Sequence, residues 1–197
     1  MTYTDVDKMI LTRWTEVVGL RAAFEELLER MEDTIDGALK KTERWADEKG
    51  LRTELDSREP HLDVWKPEWA KRREEPAVFL RVGDFAPHEF GKVEEDHPWL
   101  WVMTDDVSGF KFNEEGRVQF ARQLRTELGE AVARWDHRDT VEADEPLGRY
   151  CTELTDADRV RWMSEPDELM AFLIRGIDEL VTLAPAIDTV LARFKKT

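Results

Sequence analysis

The sequence predicts an α+β fold, mostly helical, with long N- and C-terminal helices packed together in a bundle and a small antiparallel β-sheet inserted between helices. Three observations carry this reading. Apolar residues recur at helical spacing near both ends of the 197-residue chain. Helical periodicity vanishes over residues 51–112, where prolines 60, 67, 76, 87 and 98 puncture the chain. Within that stretch lie short runs of apolar, β-branched and aromatic residues, the signature of strands. No internal repeat or low-complexity linker divides the chain, so residues 1–197 read as a single domain.

At the N-terminus, Ile10, Val17, Phe24, Met31, Ala38 and Trp45 recur every seven residues, with Val6, Leu20 and Leu27 in the companion position. Arg13, Thr34 and Lys41 interrupt that second row. The pattern predicts a long helical segment over 5–49, either one helix or two nearly collinear ones. Gly19 and Gly37 are the expected points of bending, and Gly50 is a natural stop. Leu173, Leu180, Ile187 and Phe194 repeat the spacing at the other end, predicting helices over 165–195 that begin with Ser164 as N-cap and are split by Pro185. Two long striped helices bury their stripes most economically on each other.

Between them, residues 77–82 (AVFLRV) and 99–103 (WLWVM) are the expected strands, with 62–65 a third, and the acidic connection 83–98 is long enough to be a functional loop. A helix over 113–136 opens at Asn113 and buries Phe120, Leu124, Leu128 and Val132. Residues 136–154 read as turns, and Thr155 with Asp158 forms a capping box for a short helix over 155–163.

Composition limits the function. The net charge is −15, and each of the segments 1–50, 51–112, 113–163 and 164–197 is negative. Affinity for nucleic acid comes largely from basic residues that release counterions, so a generic nucleic-acid binder is disfavoured and a partner with a basic surface is favoured. Cys151 is the only cysteine, the start MTYTDVDK has no apolar signal region, and no apolar run approaches the ~20 residues of a membrane helix. Cytoplasm is the expected address, with no membrane contact.

Catalytic signatures are missing: there is no GxSxG, HExxH, GxGxxG or GxxxxGK, so no cofactor is expected. His61, Asp63, His88 and His97 are the candidate metal ligands, since His61 and Asp63 would share one face of a strand. The densest signal is aromatic. Trp65, Trp69, Trp99 and Trp101, with Asp105 and Asp106 beside them, form the candidate binding surface, because exposed tryptophan makes strong protein contacts. All eight basic residues between 113 and 163 are arginine, which suits internal pairing with the surrounding carboxylates. The leading expectation is a non-catalytic interaction or regulatory protein that covers a basic site on another protein. One alternative is a metal-assisted hydrolase or nuclease using the His and Asp residues of the insertion. The other is a structural homo-oligomer formed through the N-terminal stripe.

Overall fold

A computed structural model describes residues 4–72, 75–83, 85, 98–132, 135, 142–151 and 154–195. The described residues form six α-helices, a five-stranded antiparallel sheet and a separate two-stranded ribbon, the mostly helical α+β architecture expected. The connection 83–98, including His88 and His97, lies almost wholly outside the described residues.

Helix α1 (Asp5–Thr12) starts at a capping box in which the Asp7 amide donates to Thr4 Oγ1 at 3.2 Å and the Thr4 amide donates to Asp7 Oδ2 at 2.7 Å. Helix α2 follows after one residue and runs from Trp14 to Glu48. The break therefore falls at Arg13, not at Gly19 or Gly37, which continue within α2. A glycine costs only ~1 kcal/mol inside a helix, a small sum against 35 residues of continuous hydrogen bonding. Gly50 ends the segment as expected, with φ 79°, a left-handed conformation that side chains disfavour.

The main sheet has strand order β1 (Arg52–Asp56), β2 (His61–Trp65), β5 (Val78–Gly83), β6 (Trp99–Thr104) and β7 (Leu147–Tyr150), while β3 (Ala70–Arg72) and β4 (Glu75–Pro76) form the ribbon. The register aligns Leu62, Val82 and Leu100 in one row and Val64, Leu80, Val102 and Leu147 in the next. All seven are buried. Helix α5 (Pro166–Val181) lies over this face, and a Cβ at Gly176 would stand 2.8 Å from Leu100 Cδ2 and 3.9 Å from Val82 Cγ2. Arg149, beside Leu100 in the register, reaches up to Glu179 of α5 at 3.1 Å. The second half of α2 packs beside α5, burying Ile35, Ala38, Leu39, Thr42 and Ala46, and Lys41 reaches Asp167 at 2.8 Å.

Strands β1 and β7 are edge strands of five and four residues with polar or glycine positions among them, and so show no apolar run in the sequence. Helix α3 (Glu114–Leu128) is capped by Asn113, whose Oδ1 accepts from the Gly116 amide at 3.1 Å. It stops short of 136 because Gly129, with φ 51°, turns the chain into a 3₁₀ turn over Gly129–Val132. Helix α4 (Asp156–Ser164) has the expected Thr155–Asp158 capping box. Ser164 does not cap α5; it sits in the last turn of α4, where its Oγ donates to the Val160 carbonyl at 2.8 Å. The Glu165 amide still bonds the Arg161 carbonyl, so α5 begins only at Pro166. Pro185 splits the C-terminal segment as expected, and α6 (Ala184–Leu191) packs on α3. Phe112, Phe120 and Phe194 close that end, with ring centroids 5.2 to 5.9 Å apart.

Two glycines should respond in opposite directions. A Cβ at Gly116 would overlap the backbone carbonyl of Lys111, so Gly116→Ala is expected to cost about 3 kcal/mol in urea denaturation. Nothing lies within 4 Å of a Cβ at Gly37, and Gly37→Ala should gain about 0.5–1 kcal/mol from helix propensity.

Candidate functional site

The face of the sheet turned away from α5 carries the odd-numbered residues of β2, β5 and β6, and its register brings Asp63, Arg81, Trp101 and Gly148 into one row. Arg81 donates to both Asp63 oxygens at 2.7 Å, a bidentate pair in which Asp63 is buried. His61 Nε2 stands 3.8 Å from Asp63 Oδ2. The pairing of His61 with Asp63 on one face is thus present, but the guanidinium occupies the carboxylate that a metal would need. Among the described residues no three His, Cys, Asp or Glu side chains converge on a point. His88 and His97 lie outside those residues.

The tryptophans are built into the body. Trp65, Trp69 and Trp99 are 2%, 1% and 6% exposed, and the half-buried Trp101 stacks on Trp99 at 4.9 Å between centroids, 8° from parallel. Glycines make room for this stack: a Cβ at Gly83 would come within 2.9 Å of the Trp101 ring, and one at Gly148 within 3.0 Å. Asp105 and Asp106 are exposed in the turn after β6, where Asp105 accepts from the Asp106 amide. Of the rings expected to form a contact surface with these carboxylates, Trp65 and Trp69 belong to the core, while Trp99 is buried in its stack with the half-buried Trp101. The arginine-only segment is likewise structural at Arg117, which pairs with Asp144, and at Arg125, which donates to the Pro146 carbonyl at 2.9 and 2.8 Å.

Trp69 also serves as a strut. Its Nε1 donates to Asp188 Oδ1 at 2.6 Å, while Lys66 Nζ meets Asp188 Oδ2 at 2.6 Å, tying the turn after β2 to α6. Beside this junction is a cavity of about 540 Å³ walled by Leu51, Trp65, Trp69, Leu80 and Val181, with Lys49 at its edge.

Uncovered apolar surface lies elsewhere. Of the ten exposed large hydrophobic residues among those described, all but Val160 are on α1 and the first half of α2. Trp14, Leu20 and Phe24 are 59%, 73% and 56% exposed, and Met9, Val17 and Leu27 are with them. By helical periodicity, Val17, Leu20, Phe24 and Leu27 fall on the face that further along buries Ile35, Ala38 and Thr42. One apolar face therefore runs the length of α2; the body covers its second half and leaves the first bare. The stripe is visible in the sequence as a row of sevens, expected first to pack within the chain and, as an alternative, to pair between chains. The missing signal was length, since α5, with 16 residues, is too short to cover a helix of 35.

Comparison with family models, with characterised proteins and with solved structures gives no match to this chain. Among the polar groups, Asp188 offers a direct measurement. Burial pushes its carboxyl up, but hydrogen bonds from Lys66 and Trp69 outweigh burial and hold it below its ordinary value. Its contribution to stability is then complete above the ordinary carboxylate range near 4 and is lost as pH falls through the lower folded value. Asp188→Ala leaves the buried Trp69 N–H without its acceptor and should cost about 1–3 kcal/mol at pH 7. In urea titrations the gap between the two proteins should narrow as pH falls below about 4.

Proposed function

We propose that this chain is a non-catalytic interaction protein whose contact surface is the uncovered apolar face of α1 and the first half of α2. The observation that carries this reading is the concentration of exposed apolar side chains on that one face. Roughly the first 17 residues of α2, about 25 Å at the helical rise, extend past the point where the body begins to cover it. These side chains contribute little to the fold, and a continuous apolar patch is a liability in water unless something covers it. Anchors at Val17, Leu20, Phe24 and Leu27, spaced three and four residues apart, suit recognition of an apolar helix or groove on another protein. The acidic character of the chain disfavours a partner that presents phosphate.

Tryptophan fluorescence tests the reading directly, because Trp14 is the only one of the eight tryptophans that is exposed. In dilute solution, acrylamide should strongly quench one component of the emission. Trp14→Phe should remove that component and leave stability within ~0.5 kcal/mol, as expected of a surface substitution. A Trp14 shielded from acrylamide in a chain that sediments as a monomer would overturn the proposal.

A further inference from the structure

We infer that the partner seated on this face is a second copy of the chain, paired antiparallel along residues 14–31 of α2; the inference rests on the reading of the stripe as a contact surface. A second copy offers the same apolar row, and a two-fold axis matches the row to itself. With the axis near Ala22, Val17 packs on Leu27 of the partner subunit and Leu20 packs on Phe24 of the partner subunit, and the symmetry repeats both contacts. The flanks agree with this register. Glu16 and Arg30, both exposed, lie on the same side of the stripe, and the antiparallel arrangement sets Glu16 beside Arg30 of the partner subunit, twice. On the other side Trp14 falls beside Leu28 of the partner subunit, so the exposed indole is covered as well, and Arg21 falls beside Arg21 of the partner subunit, each paired with its own Glu25 at 2.8 Å.

Two features of the chain favour this orientation over the parallel one. The body occupies the striped face of α2 from Ile35 onward, so a parallel partner helix would run into it and bring two chains of charge −15 side by side. The antiparallel pair places the bodies at opposite ends of a shared rod, separated by more than the ~8 Å over which charge acts at physiological salt. The break at Arg13 falls opposite Met31 of the partner subunit, so the continuous helix α2 ends where the partner's body begins. A parallel pair would also stack Arg13 on Arg13 of the partner subunit within the apolar row, a like-charge contact.

Sedimentation equilibrium of the full chain, from sub-micromolar to submillimolar concentration, tests both the pairing and its register. The wild type is expected to be a dimer at the upper end, with acrylamide quenching of Trp14 falling as the dimer forms. Glu16→Arg and Arg30→Glu should each weaken the dimer roughly tenfold, and the double swap should restore it. Leu20→Asp should give a monomer whose thermal stability matches that of the wild type diluted to its monomeric range. A wild type that stays monomeric with Trp14 open to acrylamide overturns self-pairing and leaves the contact surface for a different protein. A monomer with Trp14 shielded overturns the surface itself. A dimer restored by Glu16→Arg with Arg21→Glu, and not by Glu16→Arg with Arg30→Glu, is parallel and overturns the antiparallel register.

Discussion

The body is organised by the contact between α5 and the helix-facing side of the sheet. Leu62, Val64, Leu80, Val82, Leu100, Val102 and Leu147 make the middle of that side apolar in two consecutive rows, so it has to be covered by apolar helix, and Arg149 at the edge of the first row is met by Glu179 of α5. Gly176 lets α5 come close enough for Leu100 and Val82 to meet its backbone. Once α5 is seated, α2 can bury Ile35, Ala38 and Thr42 in the angle between α5 and the sheet. The Lys41–Asp167 pair on the exposed rim adds little energy but is consistent with that register. The opposite side of the sheet is different in kind. There, the buried Asp63 carboxylate is held by the Arg81 fork, and aromatic rings lie over glycines.

The same contact sets the limit on α2. A helix of 35 residues rises about 52 Å, far more than a 16-residue α5 and a five-stranded sheet can shield. Its apolar face does not turn polar where the cover ends. Trp14, Val17, Leu20, Phe24 and Leu27 continue the pattern in which Ile35 and Ala38 are core, and this continuity is the physical reason to treat the overhang as a surface meant for contact. An α2 shaped only by its own fold would carry charge there, as its solvent-facing side does at Glu25, Glu26, Glu29 and Glu32.

The elements most legible in the sequence are those where local chemistry and burial agree. Thr155 with Asp158, Asn113 before two glutamates, and Pro185 inside an apolar run each fix a helix boundary through groups a few residues apart. The two central strands, buried on the helix side, show up as apolar runs. What escaped notice depends on partners far away in the chain. RTELD and LGRY become strands only because β2 and β6 offer them free edges, and Ser164 looks like a helix start until Glu165 is seen closing the previous turn. The candidate site follows the same rule. The aromatic concentration at Trp65, Trp69, Trp99 and Trp101 is real, but composition cannot tell a wall facing water from one roofed by protein. The N-terminal stripe reads as an apolar face that packs on the C-terminal helices, and its second half does so, but periodicity reports that a face wants cover without saying where the cover ends.

Acidity and the bare stripe bear on each other. An uncovered apolar helix face invites open-ended association, since any copy can add to any other. The proposed two-fold antiparallel pairing would close the face over residues 14–31 on itself. The carboxylates spread along the chain then discourage further stacking of bodies, because each end of the rod carries the same sign of charge. On that proposal, a net charge of −15 that looks like a general aid to solubility would also help keep the helix from joining more than one neighbour.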